Sequence, residues 1–331
     1  MKPKYRNVFL LLGIAAVVTM LLTFDMSWDE ILHHIRRAGI WLPAVIVLWI
    51  PIYIINARAW QVILRNDAGR ELSFWRILKY TISGYALNGV TPVGVLGGEP
   101  YRILELTPYV GAEKATSSVI LYAMMHIFSH FCFWTFSVVL FLFVYTDRLT
   151  PLLVILLLLI ALFCALGIYF FLLGYRNGLA RRALLLFGRL PFIGHHIRSF
   201  AERHAESIEK VDCQIAQLHA QRRTTFYYSL FLEFMARMIG CLEVMFILFI
   251  FTSEVSFWDC VLIQAFSSLV GNLMFFIPMQ MGAREGGLAL IADTLHIPAG
   301  YGVLTGLIIR LREFFWTTIG LLLIRIGNEK Q

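Results

Sequence analysis

The chain has 331 residues, of which 59% are apolar and 15% charged, with a net charge of +7 and a mean hydropathy of +0.73. Soluble domains run about 45–50% apolar and about 25% charged, so the composition excludes a disordered, fibrous or disulfide-stapled secreted protein. It points to a polytopic helical membrane protein, since only helices and closed barrels satisfy the backbone in lipid, and these apolar runs are too continuous for barrel strands.

The elements follow in chain order. A basic start (Lys2, Lys4, Arg6) precedes an apolar run, Val8–Phe24, with no small-residue cleavage site after it, which reads as a retained anchor. Ser27-Trp-Asp-Glu30 has the pattern of a capping box, and Trp28, Ile31, Leu32 and Ile35 share one face behind it, as in a short helix lying in the interface. Further spans are expected over Ile40–Leu64, Ala115–Tyr145, Pro151–Tyr175, Thr225–Phe251 and Gly300–Ile326. Each is long enough to cross a core of about 30 Å at about 1.5 Å per residue. Between Leu186 and Arg223, Ile208, Val211, Ile215 and Leu218 form a narrow apolar stripe, which predicts an amphipathic surface helix.

Lys and Arg divide unevenly among the connections. The start, 65–79, 176–223 and the end after Gly320 hold 18 together, against three in 25–39, 146–150 and 252–258. The positive-inside rule then places both ends and the 176–223 connector in the cytoplasm, most simply at the cell (inner) membrane. The net positive charge is explained in the same way, without nucleic acid. The five cysteines (Cys132, Cys164, Cys213, Cys241, Cys260) lack paired spacing and read as small apolar fillers.

Two segments, Phe74–Tyr109 and Phe257–Pro298, are moderately apolar and broken near their middles. The topology requires each to dip into the membrane and return to its own side, from opposite faces. Their landmarks recur in the same order. Ser73-Phe-Trp75 matches Ser256-Phe-Trp258, and Ala57-Arg58 matches Ala236-Arg237. Asn88, Pro92 and Gly97-Gly98-Glu99 match Asn272, Pro278 and Gly282 to Glu285. This is the pattern of an inverted repeat. The expected fold is therefore an all-α polytopic bundle with two inverted repeats, each holding a broken re-entrant hairpin. It forms a single membrane domain: an anchor and interfacial helix (1–39), a first repeat (40–145), a span with connector (146–224), and a second repeat (225–327).

Broken backbone at membrane depth is tolerated only against protein or water, so the two breaks are expected to line a cavity. The returning half-helices, Tyr101–Leu106 and Leu288–Leu295, would aim their positive ends into it, as in phosphate sites. Ionisable residues cluster there: Glu99, Arg102 and Glu105 at the first break, Arg284 and Glu285 at the second, Arg310, Arg312 and Glu313 on the last span, and Glu233, Arg237 and Glu243 on the fifth. Charges in lipid are costly, and function is their default reading. The competing reading is structural pairing, with Glu233 and Arg237 as a local i,i+4 pair and Arg58 holding helices together. Asn88 and Asn272 are expected to tie down the broken backbone. His126 and His130 are spaced to hold a metal, but without a Glu in the HExxH sense or a cysteine pair they read as polar packing beside the cavity.

With its Asn88…Pro92…Gly97-Gly98-Glu99…Arg102 and Pro278…Gly282…Arg284-Glu285 motifs, the chain resembles the membrane domain of the lysylphosphatidylglycerol synthase/flippase-like family from about Val8 to Gly327. The resemblance implies movement of a lipid between leaflets. In aminoacyl-lipid members a separate soluble domain makes the lipid. This chain ends at Gln331, soon after the last span, so the synthase part is expected to be absent.

The resulting expectation is a lipid translocator without nucleotide hydrolysis or cofactor, since no G-x-x-x-x-G-K-[ST] is present. Arg102, Arg284 and the half-helix ends would hold the phosphate of a phospholipid, modified lipid or polyprenyl-phosphate carrier. Glu99 and Glu285 would orient the arginines, take an amine or couple to protons, with Arg58, Arg237, Arg310, Arg312 and Glu313 completing the polar lining and movement either downhill or driven by an ion gradient. A homo-oligomer is compatible with this. Two alternatives remain: an ion-coupled transporter of a small solute, and an intramembrane lipid-modifying enzyme, for which Ser83, Ser129, His126 and His130 are the weak candidates.

Overall fold

A computed structural model describes residues 38–64, 72–90, 97–146, 149–176, 223–252, 254–274 and 283–325, with single positions between 203 and 213. The expected anchor, the interfacial helix, the amphipathic stripe, Pro92, Pro278 and Gly282 lie outside the described residues.

All regular structure among the described residues is helical. The helices are α1 (Trp41–Leu64), α2 (Phe74–Val90), α3 (Gly98–Val110), α4 (Ala112–Val144), α5 (Pro151–Arg176), α6 (Arg223–Leu248), α7 (Phe257–Leu273), α8 (Ala283–Thr294) and α9 (Ala299–Arg325). Residues 41–64, 112–144 and 151–172 are long and apolar enough to cross a membrane. The helices α6 and α9 have 26 and 27 residues, so length alone would let them cross too. Their charged side chains dilute the apolar signal, and these are the side chains that build the site described below. The face of α5 that carries Leu152, Leu158, Leu162 and Leu166 is exposed. In water such a face would be a liability, and against acyl chains it is solvated.

The two segments read as broken do form helix pairs, α2 with α3 and α7 with α8. At 17 residues, α2 and α7 rise about 25 Å, short of the roughly 30 Å hydrocarbon core. The second helices of the two pairs begin earlier than expected, at Gly98 and Ala283. Pro100 explains the first case. It falls within the first turn of α3, where its missing N–H would have had no intrahelical acceptor. At the far end of α3 the chain reverses into α4 through Gly111 at φ 82°, a conformation that a side chain disfavours. The start of α7 is fixed by Ser256, whose hydroxyl accepts from Trp258 N while Asp259 accepts from Ser256 N at 3.0 Å. Asp259 also accepts from the Tyr145 hydroxyl, which anchors the end of α4 to this turn.

The packing partners of the two halves correspond. Helix α1 runs against α6, and those two helices carry the matched Ala-Arg pairs. Contacts of α2 with α3, α3 with α4, α1 with α2 and α2 with α9 have counterparts in α7 with α8, α8 with α9, α6 with α7 and α7 with α4. One apolar core gathers around the first helix pair and includes Trp60, Ile77, Tyr101, Leu106 and Tyr122. A second gathers around α8, with Val244, Ile263, Leu288, Ile291 and Ile308. Buried polar side chains, Arg102, Glu233, Glu243, Arg310 and Arg312 among them, lie within the same bundle.

Candidate functional site

At the first helix pair, Asn88 near the end of α2 reaches the start of α3. Its Oδ1 accepts from Gly98 N at 2.7 Å, and its Nδ2 donates to Glu99 Oε1 at 3.1 Å. The same Glu99 oxygen takes Arg102 at 3.3 Å, and a second Arg102 nitrogen donates to Thr81 O at 3.4 Å. Arg102 is only 2% exposed. Its guanidinium lies 5.6 Å from the Trp60 ring, 5.1 Å from Tyr85 and 5.4 Å from Tyr122, a box of aromatic faces that favours a cation. Glu99 stands in the first turn of α3, where the helix dipole favours a negative charge. The expected anion position at this helix end is thus served by the chain's own carboxylate.

The second helix pair repeats the arrangement with different partners. Glu285 lies in the first turn of α8 and accepts from Arg310 Nε of α9 at 2.6 Å. Arg284 donates to Glu313 Oε1 at 2.6 Å. Arg312 makes a forked pair with Glu243 of α6, at 2.7 and 3.2 Å, and approaches Glu313 at 3.9 Å. The Trp49 ring covers the Arg312 guanidinium at 3.9 Å. Three arginines and three glutamates from α6, α8 and α9 therefore form a charge-balanced set, half of it contributed by the last span.

A third group joins α4 to α6. His126 Nδ1 lies 2.8 Å from Glu233 Oε2. Arg237 donates to Ser129 Oγ and to His126 O, each at 2.7 Å. The expected local pair of Glu233 with Arg237 gives way to bonds across the helix interface, because both side chains face α4 and can satisfy it there. His126 and His130 stack edge-on, with centroids 5.4 Å apart. Among the described residues no group of three or more His, Cys, Asp or Glu could hold a metal. Ser129 donates to His126 O, and Ser83 donates to Gly320 O, so both hydroxyls are engaged with backbone.

Two expected participants are elsewhere. Arg58 is exposed, donating to Gln61 at 2.6 Å and covering the Phe74 ring. Asn272 is exposed too, and its amide donates within its own helix, to Ser268 O, so it does not mirror the clamp made by Asn88. Conversely, sequence reasoning overlooked the ring box around Arg102 and the forked Glu243–Arg312 pair. The spacing of Tyr122, His126 and His130, four apart on one helix face, was the available signal.

These features define a membrane protein of long helices and two short helix pairs, with charged side chains paired in its interior. The chain belongs to a family known by that region: the lysylphosphatidylglycerol synthase transmembrane region, whose model matches residues 8–320. What matches is the membrane part of that family, consistent with a role connected to membrane lipids. No curated protein and no solved structure matches the chain.

Proposed function

We propose that the protein moves a phosphate-bearing lipid between leaflets, in the manner of a flippase or scramblase, and that it is not itself an enzyme. The observation that carries this reading is the balanced set Glu243, Arg312, Glu313, Arg284, Glu285 and Arg310 in a chain that spans the membrane. Paired ions inside a bilayer are costly and are retained for use. Each arginine can exchange its carboxylate for a lipid phosphate, which accepts the same fork of donors, while the freed carboxylate receives an amine or a proton. The lipid tails stay in the bilayer throughout.

In this reading the α2–α3 and α7–α8 pairs are re-entrant hairpins of an inverted repeat, entered from opposite sides, with both chain ends in the cytoplasm of the cell membrane. The corresponding packing partners of the two halves support it. Purified protein in vesicles, supplied with a fluorescent phospholipid and a membrane-impermeant quencher but no nucleotide, should expose inner-leaflet lipid to quenching. Glu99→Gln and Glu285→Gln should each slow that step many-fold while the protein still inserts. Normal transport by both variants would leave these carboxylates structural. Uptake of a small solute without lipid movement would favour the solute-transporter alternative.

A further inference from the structure

At the helix pairs Arg102 faces Glu99 and Arg284 faces Glu313, while Arg310 of α9 faces Glu285, so these three arginines carry their own counter-charges. The group between α4 and α6 differs, since a histidine faces its carboxylate. Glu233 is 1% exposed. One of its oxygens meets His126 Nδ1 at 2.8 Å, and the other is buried with no hydrogen-bond partner. With the carboxylate ionised, Nδ1 is the donor of that bond and Nε2 is left to take a proton. About a third of the His126 side chain is accessible (32%), whereas the carboxylate behind it is sealed.

The neighbours make His126 the group whose protonation changes the local charge. Arg237, on α6 with Glu233, balances it while holding Ser129 and the His126 carbonyl. From α2, the Tyr85 hydroxyl lies 3.4 Å from His126 Nδ1 and 3.2 Å from the Tyr122 hydroxyl. From α3, Arg102 reaches the same tyrosines and is balanced by Glu99. On α4 itself, His130 lies edge-on to His126 with its Nδ1 buried and without a partner. From α1, the Tyr53 ring stands 5.8 Å from Tyr85, while Arg58 is exposed. The charges of α7 and α9 are engaged elsewhere, Asp259 with Tyr145 and Arg312 with Glu243, and α5 brings the buried Cys164.

We infer that His126 and Glu233 form a proton-binding site that couples lipid movement to a proton gradient. A proton from water binds His126 Nε2, and the cluster gains one positive charge. A lipid phosphate monoanion then enters against that charge, and proton and lipid cross together as a neutral pair. The cargo in this scheme rests on the translocator reading, whereas the proton site stands on its own geometry.

The test uses the full chain in phosphatidylcholine vesicles that contain fluorescent phosphatidylglycerol and a trapped pH dye. An imposed proton gradient should speed lipid transfer several-fold in the direction of proton flow, and the dye should report protons arriving with the lipid. Glu233→Gln and His126→Gln, each checked for a monodisperse elution peak, should lose the gradient response. His296→Asn, at an exposed surface histidine, should keep it. Lipid that moves equally with and without the gradient, and without protons, overturns the coupling and leaves the translocator reading standing. If no lipid moves, that reading fails and nitrogen-15 NMR of labelled histidine decides the proton site. Acidification must then protonate Nε2 of one residue whose signal is absent in His126→Gln. A His126 that stays neutral on acidification overturns the site.

Discussion

Asn88 holds two elements with one side chain. It satisfies an N–H at the start of α3 that has no helical acceptor, and it steadies the Glu99 carboxylate that serves Arg102. Asn88→Ala removes both bonds. It should lower stability in detergent by about 1–3 kcal/mol, the cost of stranding a partly buried polar group, and it should slow lipid transport. Thermal unfolding followed by tryptophan fluorescence measures the first effect. Asn88→Asp keeps the acceptor but sets a second carboxylate beside Glu99, and it should rescue neither property fully. The sequence made Asn88 legible as a clamp because it precedes a Pro…Gly-Gly break. It made the counterpart Asn272 look equivalent, but the amide of Asn272 turns to its own helix. Matching residue types do not fix where a side chain points when the packing around them differs.

At the scale of elements, contact between the short helices depends on the absence of a side chain at Gly98. A Cβ there would sit 2.2 Å from Gly84 O, which is backbone and cannot rotate away. Gly98→Ala should therefore pry α3 from α2 and lower the unfolding temperature. In Gly240→Ala on α6, the added methyl meets nothing within 4 Å, and the change should be neutral or stabilising by up to about 1 kcal/mol from helix propensity. Between α6 and α9 the binding element is the buried fork of Arg312 on Glu243. Glu243→Gln leaves a buried guanidinium short of its charge partner and should cost about 3–5 kcal/mol. The apolar double change Glu243→Leu with Arg312→Met should recover much of that stability in the same thermal assay while failing to transport. Recovery of both would show that the pair serves packing alone. Helix positions were legible from hydrophobic runs, within a few residues for α1, α4, α5, α6 and α9. The pairing of charges across α6, α8 and α9 was not, because an arginine's partner depends on rotation about the helix axis, which apolar periodicity barely constrains when nearly every face of the helix is buried or in lipid.

At the scale of the whole molecule, the charge distribution predicts an orientation. Lys and Arg lie mostly in the connections read as cytoplasmic, so a side can be assigned to every turn. In the proposed topology the α2–α3 pair would enter from the cytoplasmic side and return, so the α3–α4 turn at Gly111 should lie on that side. The connection of α6 to α7 at Glu254 and that of α8 to α9 at His296 should both lie outside. Thr224, at the start of α6, should be cytoplasmic. All four positions are exposed, so a probe can reach a cysteine placed there. In a background with the five natural cysteines replaced by alanine or serine, Gly111→Cys and Thr224→Cys should react with an impermeant maleimide only after the cells are opened. Glu254→Cys and His296→Cys should react in intact cells. The decisive comparison lies within each half. If Gly111→Cys labels from outside, α2 with α3 crosses the membrane instead of returning. If His296→Cys labels only from inside, the same holds for α7 with α8. Either result removes the opposed hairpins, and with them the argument that a lipid headgroup can be passed between two sites facing opposite leaflets. The predicted pattern of two inside and two outside requires that both short pairs turn back within the membrane. It would leave their Asn88–Glu99–Arg102 and Arg284–Glu313 contacts at depths that a headgroup reaches from either side.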